Sequence, residues 1–265
     1  MTLTKYACRA ALVGLGSLLG LSLTVSASVA NSLPEQTVGA KENSGETDTL
    51  RQGLPGRRLG GGTRGDLIFT NAYAYLAALV TSDNLSQTTA AKPTLLFSVP
   101  DMVSDQEAEF ILRDSEGEEV YRTTFLLSGD AGIVSLALGE TNAAPLRTNE
   151  DYRWYFSIVS AQSETHRAND VVVHGNIRRV ESASQAALAD VTNERPVEES
   201  LAEARALYRE ADLWHDAAVM LNALRQAHPE NTAVAYEWDR LVEFAGLSAV
   251  LQPSPAMVEI SLKSD

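Results

Sequence analysis

The sequence predicts a segregated α+β fold, an antiparallel immunoglobulin-like β-sandwich followed by a small helical region. Three observations carry that expectation. Between residues 57 and 180, short runs of β-branched, aromatic and leucine residues alternate with turn residues, the pattern of an all-β segment. The number of such runs, about seven in roughly a hundred residues, is that of an immunoglobulin-sized sandwich, with a small barrel as the alternative. After Val180 the apolar period changes from two to about 3.6, the repeat of an amphipathic helix.

Taken in chain order, residues 1–30 read as a signal peptide. Lys5 and Arg9 form a short positive region, an uncharged run from 10 to 25 follows, and Ser28 and Ala30 suit the −3 and −1 positions of a cleavage site. The run contains Gly14, Gly16 and Gly20 and falls short of the roughly 20 apolar residues of a membrane span, which favours cleavage over retention as an anchor. Cys8 precedes the apolar run, the wrong place for a lipidated cysteine. Residues 31–55 are polar, lack aromatics and read as a disordered lead. The expected location is periplasmic or secreted, and the mature chain carries no cysteine.

The β domain is expected over residues 56–180. One strand lies near 76–80. Between Pro93 and Pro100, Leu95, Phe97 and Val99 share a face. Ala108, Phe110 and Leu112 alternate with Glu109, Ile111 and Arg113. The segment Asp114-Ser115-Glu116-Gly117 turns the chain, and Tyr121, Thr123 and Phe125 lead it back as a hairpin. Further strands cover 133–138, Tyr152 to Phe156 with alternate residues inward, and 170–180. The helical region is expected over 181–247, with faces Leu201/Ala204/Tyr208/Ala211, Ala217/Leu221/Leu224 and Val234/Trp238/Leu241/Ala245. Asn231 is placed to cap the last helix and Gly246 to close it. So much apolar surface on so few helices is expected to dock on the β domain. Residues 248–265 read as a tail with one short strand near 258–262.

Composition narrows the function. The 265 residues are 45% hydrophobic, with 35 acidic against 21 basic side chains and a net charge of −14. That balance argues against nucleic acid as a partner. A single cysteine and four histidines without ligand spacing argue against a metal or iron–sulfur site, and export argues against nucleotide cofactors. No cofactor is expected.

Particular motifs resemble known families. Arg57-Arg58-Leu59-Gly60-Gly61-Gly62-Thr63-Arg64-Gly65, Leu76-Ala77-Ala78-Leu79-Val80 and Lys92-Pro93-Thr94 resemble the opening of the cyanobacterial domain-of-unknown-function family 928. Glu119-Val120-Tyr121-Arg122-Thr123-Thr124-Phe125, Gly132-Ile133-Val134-Ser135 and Tyr152-Arg153-Trp154-Tyr155-Phe156-Ser157 continue the resemblance in order, over about residues 55–247. It implies an exported protein without an assigned activity. A cysteine pair common in that family is replaced here by Ile68-Phe69 and Val159-Ser160. Leu207-Tyr208, Ala217, Leu221 and Pro229 resemble one tetratricopeptide repeat, with Leu224 where the pattern prefers a small residue; such helix hairpins commonly serve protein contacts.

Weighed for chemistry, Gly60-x-Gly62-x-x-Gly65 formally matches a dinucleotide fingerprint but lacks the strand before and helix after it. Its arginines, Arg57, Arg58 and Arg64, are candidate ligands for an anion such as a carboxylate or sulfate on an envelope glycan. Asp114, Glu116, Glu118 and Glu119 could surround calcium but read more simply as a solvated turn. His166, His174, His215 and His228 are expected at the surface or in capping roles. Tyr152, Trp154 and Phe156 are expected in the core. Tyr208, Trp214 and Trp238 are the candidate partner-binding residues. No nucleophile elbow or Cys–His pair exists in the mature sequence, and no carboxylate pair is singled out. The expectation is an exported, non-enzymatic binding or protein-interaction protein, with a glycan- or anion-binding module or an unrecognised hydrolase as alternatives.

Overall fold

The computed structural model describes residues 56–61, 68–71, 73–160, 169–181, 195–251, 257–258 and 260–262. The expected signal peptide and lead, Cys8, Gly62, Arg64, Gly65, His166 and the linker at 182–194 lie outside the described residues. All described residues fall within one compact unit, Thr49–Asp265.

Eleven strands are described, in chain order β1 (Leu59–Gly61), β2 (Tyr75–Ala78), β3 (Leu85–Thr88), β4 (Thr94–Val99), β5 (Gln106–Arg113), β6 (Glu119–Leu127), β7 (Gly132–Ala137), β8 (Asp151–Ile158), β9 (Val171–Arg179), β10 (Met257–Val258) and β11 (Ile260–Leu262). They form a five-stranded sheet, β1-β2-β4-β7-β10, and a six-stranded sheet, β11-β6-β5-β8-β9-β3. The alternation expected in β5, β6 and β8 sets their register. Phe110 faces Thr123 on one side and Phe156 on the other, and the whole apolar set turns to one face. Asp114 holds the hairpin turn, its carboxylate accepting from the Glu116 and Glu118 amides at 3.0 and 2.9 Å.

The two sheets share one core. Phe97 of β4 stacks on Phe156 of β8 at 4.1 Å and meets Trp154 edge-on at 5.6 Å. Gly175 of β9 makes room for that tryptophan, because a Cβ there would stand 2.4 Å from the Trp154 ring. Ile68 and Phe69, where the family resemblance implies a cysteine, are buried in the same core.

Two expectations are corrected. The sheets are mixed rather than antiparallel, because β3 joins β9 and β10 joins β7 in parallel. Both pairs are distant in sequence, so no hairpin dictates their direction. The tail supplies two short strands, one to each sheet, rather than one. Strand β3, Leu-Ser-Gln-Thr, is not among the expected strands, being short and mostly polar.

Beyond the sheets lie α1 (Val197–Arg209), α2 (Trp214–Ala227) and α3 (Thr232–Phe244), so the fold is α+β with most strands preceding the helices. Asn231 caps α3, accepting from the Ala233 and Val234 amides, and Gly246 leaves it with a φ of +66°, the left-handed conformation glycine adopts most cheaply. Ala211 is exposed because α1 ends before it. The helices dock on the outer face of the five-stranded sheet. Strand β4 is therefore buried on both faces: Leu95, Phe97 and Val99 enter the inter-sheet core, while Leu96 joins Leu79 and Ile133 under the helices.

Polar contacts fix this docking. Asp216 of α2, 2% exposed, accepts from Thr88 Oγ1 at 2.6 Å, Thr89 N at 2.8 Å and Thr89 Oγ1 at 2.9 Å. Asn222 Nδ2 donates to Ser135 Oγ at 3.2 Å. Within the helical layer, the buried Glu237 carboxylate accepts from Arg205 Nε at 2.6 Å and from the Tyr208 hydroxyl at 2.7 Å. Among the described residues no helix is long and apolar enough to cross a membrane.

Candidate functional site

A cleft of about 310 Å³ opens where the helical layer meets the edge of the six-stranded sheet. One wall is the β2–β3 connection, which contributes Thr81, Ser82 and Asp83. It is held rigidly. Thr81 Oγ1 and the Leu85 amide both donate to Asp83 Oδ1. Asn84 takes a φ of +58°, tolerable for asparagine, and sends its Nδ2 to the His174 carbonyl at 3.2 Å. Strand β3 brings Ser86 and Gln87 to the same wall.

The opposite wall comes from the helices. Asp212, in the α1–α2 turn at a φ of +56°, accepts from Gln87 Nε2 at 3.0 Å, so the two walls are tied across the mouth. Trp214 and His215 open α2 at the floor, and Phe244 at the end of α3 forms a rim that is 61% exposed. Asp216, the next residue, holds the floor against β3 through its three hydrogen bonds.

His215 is the unusual member. It is 4% exposed, and among the described residues neither ring nitrogen meets a partner at hydrogen-bonding geometry. Burial holds the imidazole below its usual range, while the Asp216 carboxylate and the nearby Thr94 backbone oppose that shift. His174, half-buried on β9, is also shifted down, first by burial and then by the charges of Arg153 and Arg57.

Of the described side chains marked from sequence as site residues, Trp214 stands at the cleft floor and the others lie elsewhere. Arg57 Nε donates to the Leu59 carbonyl at 3.0 Å. Arg58 Nη1 donates to the Ala245 carbonyl at 2.7 Å and the Val80 carbonyl at 3.3 Å, serving as a cation at the C-terminus of α3. Gly60 lies within β1, and the next described element is the strand β2. Tyr208, Trp214 and Trp238, the expected partner-binding residues, are buried. Each is at most 4% exposed, because the helical layer packs on a sheet and on itself. Trp214 Nε1 donates to the Leu241 carbonyl at 3.2 Å, and Arg225 stands 4.5 Å over the Trp238 ring. His215 is corrected from a surface or capping role to a buried one.

Glu119, from the calcium alternative, pairs with Arg122 and Arg113. The Arg122 pairing chiefly lowers its carboxyl below the usual range. Among the described residues, no group of three or more His, Cys, Asp or Glu stands together to hold a metal ion.

The cleft's chemistry is that of a hydrogen-bonding surface. Hydroxyl and amide donors alternate with carboxylate acceptors, and no lysine or arginine is among its described lining residues. Carboxylates without a cation beside them disfavour an anionic ligand.

Residues 59–254 match the family model described as Domain of Unknown Function (DUF928). No curated protein matches the chain.

Proposed function

We propose that this chain, which belongs to the DUF928 family, is an exported, non-enzymatic binding protein whose ligand site is the cleft between β3 and α2. In this reading the two sheets form an immunoglobulin-like body, and α1 and α2 form a tetratricopeptide-like hairpin that builds the second wall of the site. The chain works in the periplasm or outside a cyanobacterial cell after losing its first thirty residues. The signal-peptide pattern around Ser28 and Ala30 supports the export.

The observation that carries the binding role is the order of the cleft. Asp83, Gln87 and Asp212 are held by hydrogen bonds within the chain. A site ordered in advance loses little conformational freedom on binding. Its size is at the small end of small-molecule sites. Apolar residues stand beside the polar groups, as such sites require.

Two measurements test this. Intact-mass analysis of the exported protein places the mature N-terminus at residues 29–31; recovery of only a full-length, membrane-bound form overturns the export. Hydrogen–deuterium exchange of the full chain, with and without small molecules extracted from the exported fraction, shows protection at residues 81–87 and 212–215. Protection confined to other surfaces overturns the cleft.

A further inference from the structure

Two exposed aromatic side chains stand on α3, one of them at the cleft rim. Phe244 at the rim is 61% exposed and Tyr236, two turns earlier, is 59% exposed. Eight residues of helix separate them by about 12 Å. Both are held in place. Phe244 meets the Tyr208 ring edge-on at 5.7 Å, and Arg240 Nη1 donates to the Tyr236 hydroxyl at 3.2 Å while lying 5.8 Å from its ring centre. Phe244 thus presents aromatic surface to solvent beside the hydroxyl, amide and carboxylate groups of the cleft, and Arg240 and Tyr236 follow it along the helix.

We infer that the ligand is a neutral oligosaccharide, its terminal ring hydrogen-bonded between Asp83, Gln87 and Asp212 and its following rings stacked along Phe244 and Tyr236. This rests on the cleft being the binding site. Each sugar hydroxyl is both donor and acceptor, so it uses the Ser/Thr and Gln groups as well as the carboxylates. A cation would leave the donors unused, and an anion would face Asp83 and Asp212 without compensation. The C–H faces of a sugar ring are apolar and match an exposed aromatic ring, which has an apolar body of its own.

The test is isothermal titration of the full chain and its variants with glucose, maltotriose, mannotriose and the trimer of N-acetylglucosamine. Spermidine and citrate serve as cationic and anionic comparators. At least one neutral trisaccharide is expected to saturate. Asp212→Asn, which tolerates the left-handed backbone, weakens it about tenfold or more. Tyr236→Ala weakens that trisaccharide about fivefold and leaves glucose unchanged. If spermidine or citrate binds, is sensitive to Asp212→Asn, and no sugar binds, the cleft stands and the ligand class is wrong. Sugar binding indifferent to Tyr236→Ala overturns the aromatic track. Sugar binding indifferent to Asp212→Asn and Gln87→Ala overturns the cleft itself. No binding by any sugar overturns the oligosaccharide.

Discussion

Asp216→Ala is the most informative single perturbation of the fold. The carboxylate is 2% exposed and accepts three hydrogen bonds from Thr88 and Thr89, joining α2 to the end of β3. Removing it strands the Thr89 amide, which has no freedom to turn elsewhere. The two threonine hydroxyls can rotate toward other acceptors. A buried donor left unsatisfied costs about 1–3 kcal/mol, so one fully stranded and two partly re-paired donors destabilise the chain by roughly 3–4 kcal/mol. Relief of the buried carboxylate's desolvation offsets a fraction of this. With an m-value of about 3 kcal/mol/M, the urea midpoint falls by about 1 M. Far-UV circular dichroism and tryptophan fluorescence should shift together, since Trp214 and Trp238 lie in the layer the staple holds. Asp216→Asn keeps one acceptor and loses about half as much. A loss under about 1 kcal/mol for Asp216→Ala would show that the staple carries little load and would refute the reasoning.

Other outcomes follow from the same geometry. Glu237→Ala leaves the half-exposed Arg205 to water and strands the buried Tyr208 hydroxyl, destabilising by about 1–3 kcal/mol, read by urea denaturation. Gly175→Ala drives a methyl into Trp154 and Asn84 at 2.4 and 2.6 Å and lowers stability by about 1–3 kcal/mol, with altered near-UV dichroism of the tryptophan. Stability also falls with acid. His215 is held below its reference value of 6.5, so between that pH and its lower folded value the unfolded chain binds a proton that the folded chain refuses. The loss over that window is at most about 1.4 kcal/mol per pH unit. His215→Leu removes it at little cost at pH 7, and melting curves from pH 7 to 5 measure the change. A fragment of residues 195–251 made alone, deprived of Leu79, Leu96 and Ile133, should be molten or self-associating by dichroism and sedimentation.

Much of this was legible in the chain. Alternation in β5, β6 and β8, the Asp114 turn, the Asn231 cap and the Gly246 stop each rest on local chemistry that survives into the folded state. The apolar faces of the three helices announced a docking partner, and Leu79, Leu96 and Ile133 supply it. The cleft was not legible, because its walls come from a polar four-residue strand, a left-handed Asp212 and a helix start. Each of those reads as loop in isolation. The burial of Tyr208, Trp214 and Trp238 was only partly legible, since aromatic residues on a helix have the same spacing whether they face a partner or a sheet. One signal was present. Asp216 sits among Trp214, His215, Ala217 and Ala218, all buried, and a carboxylate within such a run points to a specific polar partner across the interface.

The account turns on where a ligand sits. Amide chemical shifts of the isotopically labelled full chain, followed through a titration with the trisaccharide that binds most tightly, test it directly. The largest changes should fall on residues 81–87 and 212–215, on Phe244 and on the side-chain amide of Gln87. Changes gathered instead at exposed Leu126 on β6, or around Tyr73 and Val103 with the cleft unmoved, would contradict it.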